Sequence, residues 1–436
     1  MQEFRFDDVI VSADADDLQA YLQDAHGGAE RPLCLCQPEG VPMYVAKVGA
    51  RYVIKRMPST GGHHTPDCAS YEPPAELSGF GEVKDRAIQE DEATGTTTLR
   101  LDFSLTKMGK RAATPSAGTE HDTVRTDGAK LTLRGLLHYL WDQAALNRWT
   151  PGMEGKRNWY VIRKYLLHAA LGKKAKDMAL AEQLYIPEVF AVEREAEITQ
   201  RRIARLATLV SGDNKARKLM IAIGEVKEIG PSRYGFKLVA KHLPNFPFMI
   251  DEELHKKLDK RFGDELALWN GVEGAHLVFI GTFWLTRAGY ATLETLSLMV
   301  TTANWIPIEH GFDVMLLDTL AAQKRKYLKG LRYNLARNKP LASAVLTDTT
   351  PPTALYLDLP VDSDEDPVAQ TIEHVIEASE LPSWIWPVLE AMPPLPAPSA
   401  SAHPMRRPVA SPALPSPSPS RYERPDDEAG YGESAW

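Results

Sequence analysis

No stretch of this 436-residue sequence stays apolar for the roughly 18 residues that a membrane span needs. No helical membrane anchor is therefore expected. The opening residues, Met1 to Asp8, include Glu3, Asp7 and Asp8 and lack an apolar core, which is not the pattern of a secretory leader. Cysteine is scarce: there are three, an odd number that no single-chain disulfide scheme can pair completely. A soluble protein of a reducing cytoplasm is expected. There is no glycine-rich phosphate loop and no nucleophile elbow, and His138, His168, His242, His276 and His310 show no close spacing. These absences leave little for nucleotide hydrolysis or acyl transfer.

What is present is an uneven charge. The net charge is −8, but residues 107–340 carry 37 Lys and Arg against 25 Asp and Glu. Residues 1–106 carry 9 against 18, and residues 346–436 carry 4 against 15. A basic middle between acidic ends suits a DNA or RNA partner, because clustered cations neutralise phosphates and release counterions. The alternative is a solvated surface that happens to be uneven.

The three cysteines are themselves clustered, with two histidines between them: Cys34-Leu35-Cys36, His63-His64, Cys68. Thiolate and imidazole are good Zn²⁺ ligands, and a structural site takes four in a tetrahedron with no open position. Cys34, Cys36, His64 and Cys68 supply that number. His64 is preferred to His63 because His-x₃-Cys is closer to zinc-finger spacing. The competing readings are three packing thiols or a redox-active Cys-x-Cys pair. A structural zinc would let a small N-terminal domain with little core fold stably.

The pattern along the chain predicts an α+β protein. Residues 1–106 read as a small zinc-binding β-hairpin domain, 107–128 as a linker, and 129–212 as a helical segment. Residues 213–385 read as an α+β domain with a mixed sheet: strands at 219–226, 236–242, 276–284, 292–301, 305–309, 342–347 and 353–359, and helices at 251–262 and 313–333. From 392 to 436 the composition turns to Pro, Ser and Ala, with 11 prolines from Pro393 to Pro425. Such a segment is expected to be disordered. Its acidic, aromatic end (Tyr431, Trp436) would suit docking to a protein partner.

Three features bear on function. Lys324, Arg325, Lys326, Lys329, Arg332, Arg337 and Lys339 form a basic run, and on a helix over 313–333 residues 325, 329 and 332 would share a phosphate-tracking face. Tyr327 and Tyr333 interleave with it. A solvated charged face is the competing reading. The helix–break–helix of 133–171, with Arg157, Arg163 and Lys164, could serve as a helix-turn-helix, although its connection is long for that motif. Finally, Asp213, Glu225 and Lys227 match the D…ExK layout of Mg²⁺-dependent nucleases, in which carboxylates hold the metal and lysine supports the attacking water.

One resemblance covers about residues 1–360. The runs Arg31-Pro-Leu-Cys-Leu-Cys36, Val41-Pro-Met-Tyr-Val-Ala46, Lys55-Arg-Met-Pro58, His64, Cys68 and Ser70-Tyr-Glu-Pro-Pro74 are similar to the bacterial family catalogued as domain of unknown function 1173. So are Tyr327-Leu-Lys-Gly-Leu-Arg-Tyr-Asn334 and Pro340-Leu-Ala-Ser-Ala-Val-Leu-Thr-Asp348. Its members tend to be encoded on conjugative plasmids and integrative elements, which implies a role in mobile-DNA biology. The reading that follows is a non-catalytic, zinc-containing, nucleic-acid-binding protein of a mobile element. The alternatives are a Mg²⁺-dependent nuclease or an adaptor acting through its tail.

Overall fold

The structure, a computed structural model, describes residues 2–399 apart from 49–50, 58–59, 92–95, 108–127, 210–216, 234 and 361–371. It is a mixed α and β protein with the Cys/His cluster near its N-terminus, as the sequence pattern predicts. The linker expected at 107–128 lies almost wholly outside the described residues, and so does the tail beyond 399.

The N-terminal part is a five-stranded antiparallel sheet. Glu3–Phe6 and Val9–Ser12 form a hairpin, and Leu33–Cys34, Val41–Val48 and Arg51–Arg56 continue outward from Glu3–Phe6. Its small core joins Phe4, Phe6, Val11, Val41 and Met43 to Leu22 of the helix Leu18–Ala25. Two longer helices follow. In α1 (Leu133–Gln143) the Thr132 side chain caps the N-terminus by accepting from Gly135 N at 2.9 Å, and Leu136, Leu137, Leu140 and Trp141 are fully buried. In α2 (Trp159–Ala169) Asn158 caps the start, accepting from Val161 N, and Trp159, Ile162, Leu166 and Ala169 make the buried stripe.

The centre of the molecule is a barrel of five strands: β1 (Met220–Ser232), β2 (Gly235–Ala240), β3 (Phe248–Ile250), β4 (His276–Leu285) and β5 (Ala291–Thr301). Helix α3 (Glu252–Gly271) lies between β3 and β4. The pairings close a ring: β1–β2, β2–β3, β3–β5, β5–β4 and β4–β1, all antiparallel except β3–β5. Strand β1 serves both sides because it is long and bulged. Its first half pairs with β4, its second half with β2, and Lys227 is the extra residue between Val226 and Glu228. A strand order 1-2-3-5-4-1 with the helix after β3 is the topology of an OB barrel. Close packing shows at Gly224, where a Cβ would lie 2.7 Å from the Phe279 ring.

Alternation along the strands divides the barrel's side chains between an interior and a helical coat. Met220, Ala222, Val226, Leu238, Phe248, Phe279 and Phe283 fill the inside. Ile221, Ile223, Val278, Ile280 and Met299 point outward and join α1 and α2 in a second core. One half of the outer surface is thereby covered. Because α1 is buried on nearly every side, the 133–171 pair is a packing layer and does not form a free helix-turn-helix. Arg157 and Arg163 donate to the carbonyls of Leu146 (2.7 Å) and Ile186 (3.1 Å).

Two sequence expectations fail here. The helix expected to run to Tyr333 is α4 (Gly311–Ala322) and stops eleven residues earlier. Lys324 takes a left-handed φ of 54°, Arg325 N bonds back to Leu320 O at 2.9 Å, and the chain leaves as the strand Tyr327–Lys329, paired with Ala344–Leu346 and Arg148–Trp149. The proline-rich tail also begins later than expected. Residues 392–399 run as a strap whose carbonyls at Pro394 and Pro396 accept from Trp384 Nε1 (3.1 Å) and Arg325 Nη1 (2.7 Å), while Ser399 N donates to Asp348 O at 2.8 Å.

Candidate metal centre and candidate nucleic-acid face

Cys34, Cys36, His64 and Cys68 come together at the end of the N-terminal sheet. Strand Leu33–Cys34 delivers the first thiol, the turn after it Cys36, and the turn following Gly61–His63 delivers His64 and Cys68. The four ligand atoms lie within 4.8 Å of one another. Cys34 Sγ is 3.6 Å from Cys68 Sγ, and His64 Nδ1 is 3.3 Å from Cys36 Sγ and 3.6 Å from Cys68 Sγ. A tetrahedron on metal–sulfur bonds of about 2.3 Å has edges of about 3.8 Å, so the cluster is of a size that could hold a single metal ion. His64 is buried and His63 exposed, so His64 is the histidine the fold aims inward.

Hydrogen-bond donors reach two of the sulfurs, while burial raises the Cys36 thiol. Gln2 Nε2 donates to Cys34 Sγ (3.4 Å) and Cys68 Sγ (3.5 Å), and Ser70 N donates to Cys68 Sγ (3.4 Å). The hydrogen bond from Cys68 pulls the Cys34 thiol down to about 4 and pushes the Cys68 thiol up, so the pair holds one negative charge between them. His64 is kept below its ordinary pKa by burial, leaving a neutral imidazole. Deprotonated sulfur and neutral imidazole are the forms that bind a metal.

The basic run does not form the expected stripe. Arg325, Lys329 and Arg332 are 2%, 3% and 7% exposed. Arg325 is bidentate to Asp348 (2.8 and 2.9 Å), Lys329 Nζ meets Asp313 Oδ1 at 3.2 Å, and Arg332 grips Glu309 (2.7 to 2.9 Å). Lys326 pairs with Asp67 at 3.0 Å, Arg337 with Asp264 and Glu265, and Lys339 with Glu82 at 3.8 Å. Lys324 is exposed at the end of α4. With a strand in place of the helix, these side chains point in different directions, and most are committed to carboxylates. Tyr327 and Tyr333, expected to interleave as stacking groups, are buried.

Of the nuclease set, only Glu225 and Lys227 lie among the described residues. Asp213 lies outside the described residues. Glu225 is 4% exposed and accepts from His276 Nδ1 at 2.6 Å and from Lys241, while Lys227 sits exposed on the bulge. Burial raises the Glu225 carboxyl, but those two hydrogen bonds outweigh it and hold the group below the usual range. The His276 ring in turn stacks on Trp305 at 3.9 Å. Glu225 therefore ties β1 to β2's end and to β4.

A different basic surface appears on the half of the barrel that the helices leave open. Register places Lys237 (β2) beside Met249 (β3), Met249 beside Thr292 (β5), and Thr292 beside Trp284 (β4), in one row across four strands. The neighbours of these residues in sequence point into the core, so the row points out. The Arg217 guanidinium lies 4.3 Å over the Trp284 ring. Two turns flank the row. Arg233 projects from the β1–β2 turn, and Arg287 and Tyr290 from the β4–β5 turn, with Tyr290 63% exposed. That second turn is tightly held: Thr286 N donates to Tyr290 O at 2.9 Å and Tyr290 N to Thr286 Oγ1 at 3.0 Å. Between Arg217 and Ile250 there are six Lys and Arg against two carboxylates, Glu225 and Glu228.

Among the described residues no helix is long and apolar enough to cross a membrane. No curated protein and no solved structure matches the chain significantly, so the likeness to an OB barrel is one of strand order alone. The model of one protein family, described as a protein of unknown function (DUF1173), matches residues 4–388, which spans the cysteine cluster, the barrel and the strand that follows it, and the chain belongs to that family.

Proposed function

We propose that this protein binds nucleic acid through its central barrel, without catalysing a reaction on it, and that a structural zinc ion at Cys34, Cys36, His64 and Cys68 holds its N-terminal sheet together. The observation that carries the reading is the barrel. Its strand order is one whose β2–β3 face and flanking turns are a recurrent oligonucleotide-binding surface, and here that face is the half left uncovered, with an excess of cations. Zinc is favoured for the metal because three thiolates and one imidazole form a closed soft-donor shell. The cytoplasmic location and the mobile-element setting that the resemblance implies are compatible with such a role.

The test combines a metal assay with binding to labelled DNA at two salt concentrations. About one zinc per chain is expected, together with nucleic-acid affinity that falls at least tenfold between 50 and 200 mM salt, and the DNA should remain intact when Mg²⁺ is added. Failure to bind DNA or RNA at low salt overturns the reading. Cleavage that persists in pure protein and disappears in Glu225→Ala favours the nuclease instead.

A further inference from the structure

We infer that the partner of the open barrel face is an unpaired nucleic-acid strand, gripped by stacking on Tyr290 and Trp284 and by the cations beside them. The inference rests on the nucleic-acid reading above and names the form of the ligand and the groups that hold it.

The argument begins with what the face offers. A duplex presents phosphates on its outside and keeps its bases stacked inside, so a protein that reads it needs cations and an element shaped to a groove. An unpaired strand presents base faces as well, and aromatic rings bind those without regard to sequence. The row Lys237–Met249–Thr292–Trp284 lies across the sheet and offers no projecting helix or ribbon. Its half-buried groups are aromatic, thioether and cationic, and the exposed Tyr290 ring stands beside them. Tyr290 stands just before β5, two residues before Thr292 and bonded to Thr286 opposite it, which continues the ladder and makes it the diagonal neighbour of Trp284, about 7–8 Å away. Two aromatic groups at that spacing are placed for neighbouring bases.

The second part is charge. Arg217 over Trp284, Lys237 in the row and Arg287 beside Tyr290 put cations next to each stacking group. Lys237 itself pairs with Glu228 at 3.0 Å, a surface pair that a phosphate can replace at small cost, and Glu294 pairs with Lys107 at 2.5 Å. Asp251, Glu252 and Glu253 follow β3 at the start of α3, where Asp251 accepts from Leu254 N and Glu253 pairs with Lys257. They mark the acidic border of the face. A polyanion on this surface meets cations along the row and is repelled at one edge, so it is held to the row.

The third part is the rigidity of the Tyr290 mount. Gly289 takes φ 83°, and the turn's hydrogen bonds fix the backbone on both sides of Tyr290. An exposed aromatic on a rigid turn loses little freedom when a base stacks on it, which is where much of the cost of binding lies.

The experiment measures fluorescence anisotropy of the full-length, zinc-loaded chain with labelled 20-mers of oligothymidine and oligouridine and with a 20-bp duplex, at 50 mM salt. One or both single strands should bind at least tenfold tighter than the duplex. Tyr290→Ala should weaken single-strand binding by about tenfold while Tyr290→Phe retains it, since the ring and not the hydroxyl does the stacking. Lys237→Glu should weaken it by about fivefold or more. Lys326→Glu makes the same charge change at similar exposure but off the face, and should change binding less than about twofold. Tyr290 is solvent-exposed and Lys237 half-buried, and unchanged thermal unfolding of each variant separates a binding loss from a folding loss. Equal or tighter duplex binding, or single-strand binding indifferent to Tyr290→Ala, overturns this inference and leaves the nucleic-acid reading standing. Absence of binding to any of the three probes overturns both.

Discussion

The segment from Lys324 to Lys339 and the open face of the barrel are both rich in Lys and Arg, and the molecule uses them in opposite ways. In the segment, Arg325, Lys329 and Arg332 are buried, each against a carboxylate from another element. On the barrel, Arg217, Arg233, Lys237 and Arg287 are scattered along the sequence, and they lie in or beside the row that strand register builds. A cation locked to a buried carboxylate has already exchanged its water for a protein partner and has no counterions to release. The second set lies nearer the surface, where a pair such as Lys237 with Glu228 is weak and a phosphate can take the carboxylate's place. The density of charge along a sequence is therefore a poor guide to where charge is available.

The largest effect that separates the two sets is on stability. Asp313 and Lys329 are each 2% exposed at the side chain, and Asp313 also accepts from Ser343 Oγ at 2.5 Å and Glu309 N at 2.8 Å. Asp313→Asn strands a buried ammonium, and should cost about 3–5 kcal/mol in urea unfolding. Glu228→Gln, which frees Lys237 on the open face, should cost less than about 1 kcal/mol. Equal costs would erase the distinction between the two regions.

A smaller effect sharpens the comparison through pH. Burial raises the Asp313 carboxyl, but Lys329 and His310 outweigh it and hold the group below its ordinary value. Its stabilisation is thus complete above the unfolded pKa near 4 and is lost as the pH falls below that. Lys173 shows what happens to a buried cation with no carboxylate. It donates to Gln143 Oε1 at 3.2 Å and lies over the Tyr139 ring, and burial, with Lys55 nearby, pushes it down to about 7. The folded state then binds fewer protons than the unfolded state between about pH 7 and 10.5, so stability should rise across that window. Thermal unfolding followed from pH 6 to 10 should show this rise in the native chain and a flatter profile in Lys173→Met.

The Cys/His cluster is legible in the sequence because its signal is chemical: three cysteines and the intervening histidines have few other reasons to lie so close. The choice between His63 and His64 followed from spacing and agrees with which ring the turn buries. The barrel was nearly legible. The sequence pattern indicates β1, β2, β4, β5 and α3 as four strands and a helix in the right order. What hides the closed ring is β3, whose three residues, Phe248-Met249-Ile250, are too few to show an alternation. The basic segment was misread for a local reason. Helix α4 ends at a left-handed Lys324 where a glycine would have announced the stop, and Tyr333 is a second non-glycine residue with positive φ, at 46°. The charges that pair with the segment come from Asp67, Glu82, Asp264, Glu265, Glu309, Asp313 and Asp348, contacts that no local pattern records.

The central claim is that nucleic acid meets the open barrel face and not the basic segment. Hydrogen–deuterium exchange of the full chain, with and without saturating oligothymidine, compares both in one measurement. The account predicts slowed exchange over 235–240, 248–250 and 284–292, with residues 324–339 unchanged. Protection confined to 324–339, or no protection anywhere on the barrel while the strand is bound, would contradict it.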